Sequence, residues 1–129
     1  GGDRFAWDLR RARVAIFTNK VTTGAEVLQQ LLANQELVWD EQKVDRLLQV
    51  VFDLQTLQYH RQALALFTAL LDKPLGRQQR RELLFCLLED ARQIFTGLLR
   101  ATRDTSRKAV LKNEIQRLHL VSNAKRKEN

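Results

Sequence analysis

Apolar residues recur three and four positions apart along most of this chain, the spacing of one buried face on a helix, and the recurrence is interrupted at five places. Phe5, Leu9, Ala12 and Ile16 share a face in a helix expected from about Phe5 to Thr18, with Asn19 as its stop. In TTGAEVLQQLLAN, Thr23 and Glu26 stand at capping-box spacing, where each side chain satisfies the other's orphan backbone donor. Val27, Leu28, Leu31 and Leu32 give this second helix its apolar face, and Asn34 caps its end. Asp40 reads as the N-cap of a third helix, with Glu41 in a first turn that favours negative charge. Val44, Leu47, Leu48, Val51 and Leu54 carry that helix to about Gln55.

After a tight connection at 56–58, YHRQALALFTALLDKP sets Ala63, Phe67 and Leu70 on one stripe and halts at Pro74. Lys73-Pro74-Leu75-Gly76 is the firmest boundary in the chain. A long helix is expected from about Arg77 to Ala101, carrying Leu84, Leu87, Leu88, Ala91, Ile94, Phe95 and Leu98, with Gly97 marking a break or a close helix contact. Asp104-Thr105-Ser106 caps a last helix through Val110, Leu111, Ile115 and Leu118. The pattern predicts an all-α fold: a compact bundle of five to six antiparallel helices, with the core drawn from helices two to five.

Composition agrees. A chain of 129 residues suits one domain, and one proline with five glycines leaves little turn chemistry for a sandwich or barrel. Gly1-Gly2 reads as a cloning remnant, 3–121 as one helical domain and 122–129 as a basic flexible tail, the whole being a piece of a longer protein. The longest unbroken apolar run, Leu83 to Leu88, is too short to span a bilayer. Cys86 is the single cysteine and has no internal disulfide partner, which places the chain in the cytoplasm or nucleus.

Tyr59, Ala63, Phe67 and Pro74 carry a resemblance to the second helix of a tetratricopeptide hairpin, over about thirty residues and with the spacing to the proline one short. Such repeats recur at about 34 residues. That shift carries positions 63, 67 and 74 forward to Gly97, Ala101 and Lys108, and back to Gln29, Ala33 and Asp40, and neither set restores the pattern. A tandem array is therefore not expected. The layout from Val27 to Lys73 is also similar to the small helical domain of the steroid receptor RNA activator protein and to the tail of an outer vesicle-coat subunit. Both resemblances imply a binding module rather than an enzyme.

Charge changes the picture at one end. From Gly97 onward there are nine basic residues against three acidic ones, which is six of the seven net positive charges. Arg100, Arg103 and Arg107 would form one stripe on an unbroken helix, and Lys108 and Lys112 another; Arg117, Lys125, Arg126 and Lys127 complete the set. Such a surface suits an acidic protein partner, phosphate of a nucleic acid, an anionic membrane surface or solvent alone. Arg10-Arg11-Arg13 and Arg77-Arg80-Arg81 extend it if they fold beside it. No aromatic residue follows Phe95, so stacking platforms for unpaired bases are missing there.

Candidate chemistry is sparse. His60 and His119 are the only histidines, and neither has a second ligand at metal spacing. His60 is expected in solvent at a helix start, and Cys86 as a small hydrophobe between Phe85 and Leu87. Glu89 and Asp90 point about 100° apart on a helix, so they pair with Arg92, Gln93 or a neighbouring helix rather than with one substrate. No catalytic, cofactor or metal site is predicted.

Trp7, Leu37, Val38 and Trp39 are the candidate partner-binding residues, with plugging of the bundle ends as the other reading of the tryptophans. Val50, Phe52, Leu57, Leu66 and Phe85 put apolar groups on a second face of helices three to five, which leaves a homodimer open. The expected function is a non-enzymatic scaffold or adaptor module. Its partner surface is a groove between helices or the basic final quarter; the alternative is a nucleic-acid-binding domain working through phosphate contacts.

Overall fold

The computed structural model describes residues 3–127, with side chains through Ala124. Gly1, Gly2, Glu128 and Asn129 lie outside the described residues, as do the side chains of Lys125, Arg126 and Lys127. Among the described residues six helices follow one another: α1 Arg4–Phe17, α2 Val21–Ala33, α3 Glu41–Thr56, α4 His60–Leu70, α5 Arg77–Ala101 and α6 Thr105–Lys127. No strand occurs among the described residues, and none of their helices is long and apolar enough to cross a membrane.

Helices adjacent in sequence pack on one another except across the α2–α3 connection: α1 on α2, α3 on α4, α4 on α5, and α5 on α6. Lesser contacts link α1 to α3, α2 to α4 and α3 to α5, which closes the first four helices into a compact body. Phe5, Leu9, Ala12 and Ile16 of α1 meet Val27, Leu28, Leu31 and Leu32 of α2 in the same core as Val44, Leu47, Leu48 and Leu54. The α4 stripe of Ala63, Phe67 and Leu70 is wholly buried in it, joined by Leu66 from the second face.

The caps explain most of the boundaries. Asp3 Oδ1 accepts from Ala6 N (3.1 Å) to start α1, and Asp40 Oδ1 accepts from Lys43 N (2.8 Å) to start α3. Asn19 and Gln58 take left-handed backbone angles, φ 65° and 76°, which turns the chain sharply after α1 and α3. Gln79 Oε1 accepts from Gly76 N (2.8 Å) and its amide reaches Glu41 O (3.3 Å), docking the start of α5 on the start of α3.

Three expectations are corrected. The Thr23–Glu26 capping box does not form, because α2 already begins at Val21 and both residues lie inside it. Gly24, also inside α2, lets α1 and α2 approach closely: a Cβ there would sit 2.7 Å from Ile16 Cγ1 and 2.9 Å from Ala12 O. Gly97 neither breaks α5 nor meets another helix, and a Cβ there would point into open space. Finally, α6 remains helical past Val121 to Lys127, where a frayed tail was expected.

The core also lies further toward the N-terminus than helices two to five. α1 contributes fully, whereas α5 supplies only Leu83 as a buried apolar side chain. The reason is geometric. Beyond the four-helix body α5 has only α6 to pack on, and two helices side by side shield one face each and no more.

Candidate functional site

The α5–α6 hairpin is the part of the fold that leaves chemistry unsatisfied. Thr102 Oγ1 donates back to Leu98 O (2.7 Å) where α5 ends, and Asp104 Oδ1 accepts from Ser106 N (2.9 Å) and Arg107 N (3.3 Å) where α6 starts. The three-residue connection between these caps folds α6 back along α5. No described side chain of α6 is buried. Leu111, Ile115 and Leu118 are half-buried against α5, while Val110 is 61% exposed and Leu120 57%.

At the tip of the hairpin Leu98, Thr102, Ser106, Arg107, Val110 and Leu111 line an open, largely apolar cleft of about 370 Å³. Arg103 follows Thr102 at its rim, and Arg100 occupies the last turn of α5. Because α5 stops at Ala101, Arg100, Arg103 and Arg107 are not one helical stripe; they gather around a turn instead. Lys108 and Lys112 do share a face of α6. None of these five forms an ion pair with a described residue, and Asp104 spends its carboxylate on backbone donors. Arg117 alone of the described basic residues after Gly97 is paired, with Glu114 at 3.2 Å.

The two other arginine clusters do not join this patch. Arg11 pairs with Asp8 (3.3 Å) and Arg13 with Asp53 (3.8 Å) on α1, which packs on α2 and α3. Arg77, Arg80 and Arg81 begin α5, about 30 Å along the helix from Arg100.

The aromatic candidates divide. Trp7 is 58% exposed with the Arg11 guanidinium 5.6 Å from its ring centroid, and Val38 is almost fully exposed. Leu37 and Trp39 lie half-buried against the core. The Trp39 ring stands edge-on to Phe5 at 5.7 Å, with the Lys73 ammonium 5.1 Å from its centroid on the outer side. Its Nε1 is buried and has no hydrogen-bond partner among the described residues. Trp39 therefore plugs the bundle while Trp7 does not. Of the second-face residues, Val50 and Leu66 are buried and Phe52 is half-buried on Phe67, so only Leu57 stays substantially exposed among the first four.

Sequence reasoning missed one pairing. His60 is not turned to solvent: its Nδ1 lies 2.8 Å from Asp90 Oδ1, across from α4 to α5. Asp90 is fully buried, and burial is the largest influence on its carboxyl, raising its pKa against the pull of the His60 hydrogen bond. Gln55 lies close enough to favour the charged form, but its amide donates to Cys86 O at 2.6 Å, and Asp90 Oδ2 has no hydrogen bond of its own among the described residues. A polar residue inside the Leu-Leu-Phe-Cys-Leu-Leu helix, one turn after Cys86, was the available signal for a buried partner.

Glu89 bonds Arg92 (2.6 Å) and Gln93 (2.9 Å), as expected, and Arg92 holds its carboxyl below the usual range. Burial pushes the Cys86 thiol up to about 11. His119 is exposed beside a shallow groove with Leu88, Glu89, Arg92 and Leu118. Among the described residues no three His, Cys, Asp or Glu side chains come together to hold a metal ion.

No protein family, curated protein or solved structure matches this chain. The tetratricopeptide and steroid receptor RNA activator resemblances gain no support from those comparisons.

Proposed function

We propose that the chain is a non-enzymatic protein-interaction module, a scaffold or adaptor element whose working surface is the α5–α6 hairpin. One observation carries this reading: α6 packs on α5 and leaves Val110, Leu120 and Val121 in solvent, with Val110 beside Arg107, which lacks an acidic partner among the described residues. A helix that serves only to complete a core buries its apolar face, and this one does not. The titratable groups support the same view. His60 and Asp90 satisfy each other between helices, Glu89 is held by Arg92, and Cys86 is a half-buried thiol with a raised pKa. Glu89 borders the groove beside His119, and His60 borders another with Tyr59 and Gln93, each already engaged by its partner. The single unpaired cysteine suits a cytoplasmic or nuclear protein.

Site-specific photo-crosslinking tests the reading. A crosslinker at Val110 or Val121 is expected to capture protein in cell extract, unchanged by nuclease, whereas one at Gln30 captures little. Nucleic acid as the sole captured species, or no capture at either hairpin position, overturns it.

A second reading, phosphate contact with nucleic acid, draws on Lys108 and Lys112, which share one face of α6. Neutralising Lys108, Lys112 and Arg117 then abolishes DNA or RNA binding and flattens its salt dependence, because each lost contact releases fewer counterions.

A further inference from the structure

The cleft at the hairpin tip joins two features that select a particular kind of partner. Its walls are apolar, from Leu98, Val110 and Leu111, and its edge is cationic, from Arg107 in the lining and Arg103 beside Thr102. Resting on the interaction-module reading, we infer that this cleft receives an acidic amphipathic peptide segment, one large apolar side chain filling it and flanking carboxylates meeting Arg103 and Arg107.

Charge decides among the possible occupants. A second copy of this chain docking tip to tip brings Arg100, Arg103 and Arg107 against their own counterparts, with Asp104 engaged by backbone donors. A phosphodiester backbone answers the arginines but has nothing to place in an apolar cleft, and no aromatic side chain lines it for a base to stack on. A membrane surface needs a continuous apolar stripe. On α6 the line from Val110 to Val121 is interrupted by Glu114 and Arg117, both polar and ion-paired to each other. A peptide carrying both carboxylates and an apolar anchor satisfies the cleft and its rim together, and guanidinium groups bind carboxylates in bidentate fashion. Desolvated apolar anchors ringed by such pairs concentrate binding energy in small areas.

The test is selection of a random-sequence peptide library on the immobilised full chain, followed by fluorescence anisotropy of the enriched peptides. Two variants are measured beside the wild type, Val110→Asp and the double Arg103→Glu/Arg107→Glu, all at exposed positions. Each is checked for an unchanged melting curve. The expected result is net-acidic peptides with a central Leu, Ile, Phe or Trp, whose affinity falls at least about tenfold in both variants. Peptides with the carboxylates replaced by lysine regain binding to the double Glu variant. Enriched peptides that are neutral or basic, or that bind the variants as tightly as the wild type, overturn the inference. If they bind unchanged, the interaction-module reading survives with its surface elsewhere. No enrichment at all, or a single-stranded oligonucleotide binding more tightly than every selected peptide at physiological salt, overturns both.

Discussion

His60 Nδ1 and Asp90 Oδ1 meet at 2.8 Å between the start of α4 and the middle of α5, with the carboxylate fully buried and the imidazole ring largely so. This contact ties the four-helix body to the hairpin, beside the Gln55 amide that donates to Cys86 O. Replacing His60 by alanine leaves Asp90 in the interior without its partner, and a stranded buried acceptor costs about 1–3 kcal/mol, more when it is charged. Asp90→Asn is milder, since the amide oxygen still accepts from Nδ1–H and no charge needs burying. Urea unfolding of the two variants is expected to rank them in that order, with His60→Ala the less stable.

The same carboxyl makes stability depend on pH with an unusual sign. Burial raises the Asp90 pKa in the folded chain above its ordinary carboxylate value. The folded state therefore holds this proton more tightly than the unfolded state does. The resulting stabilisation is complete below the ordinary value and is lost as pH rises through the raised one. Asp90→Asn removes that loss. Measured by thermal melts, the stability of Asp90→Asn relative to the wild type is expected to improve steadily from the ordinary carboxylate range upward and then level off. A difference independent of pH contradicts it. Glu89 pulls the other way, because Arg92 lowers its pKa and the stabilisation it gives is lost as pH falls.

Two glycines inside helices respond oppositely to the same substitution. Gly24→Ala drives a methyl group to 2.9 Å from the backbone oxygen of Ala12, so α1 and α2 must separate, at a cost of about 1–3 kcal/mol. Gly97→Ala meets nothing within 4 Å and gains about 0.5–1 kcal/mol through helix propensity. Denaturation midpoints that shift in the same direction for both variants contradict this packing.

The roles of these two glycines were hidden in the sequence, although the helices that hold them were not. Six helices and five breaks follow from local rules, and Asp40, Asn19 and Pro74 each end or begin a helix through groups a few residues away. Gly24 and Gly97 carry the same local meaning and differ only in what meets them, which depends on α1 lying against α2 and on Gly97 facing open space on α5. Thr23 failed for the same reason: a capping-box spacing is common, and the turn at Asn19 had already started the helix at Val21. The basic hairpin tip was visible as charge in the chain. That Arg107 lines an apolar cleft, rather than continuing one helical stripe with Arg100 and Arg103, depends on where α5 stops, and Asp104 marks the start of α6 more clearly than anything marks the end of α5.

The two tryptophans separate stability from binding. Trp39 packs edge-on to Phe5 beneath Lys73, and truncating a well-packed aromatic to alanine costs about 3 kcal/mol or more. Trp7 is mostly in solvent, and Trp7→Ala is expected to stay within about 0.5 kcal/mol of the wild type. Chemical denaturation of both variants checks the contrast. A large loss at Trp7 means that its ring is covered in solution, and therefore that α1 carries a second contact surface.

Cys86 offers a probe of the α3–α5 contact that needs no mutation. Desolvation is the main reason its thiol is pushed up to about 11, from an ordinary value of 9.0, and the nearby carboxylates of Asp90, Glu82 and Glu89 add to it. Only the thiolate attacks an alkylating reagent, and a thiol that ionises this much later holds about a hundredfold less of it near neutral pH. Iodoacetamide labelling followed by mass spectrometry is expected to be correspondingly slow on the folded chain and to reach ordinary rates in denaturant. His60→Ala, by loosening α5 from α4 at the level of Asp90, raises the folded-state rate, whereas Val110→Asp at the far end of the hairpin leaves it unchanged. Fast labelling of the intact protein means that α5 is not held against Gln55, and the hairpin then has no fixed base from which to present its tip.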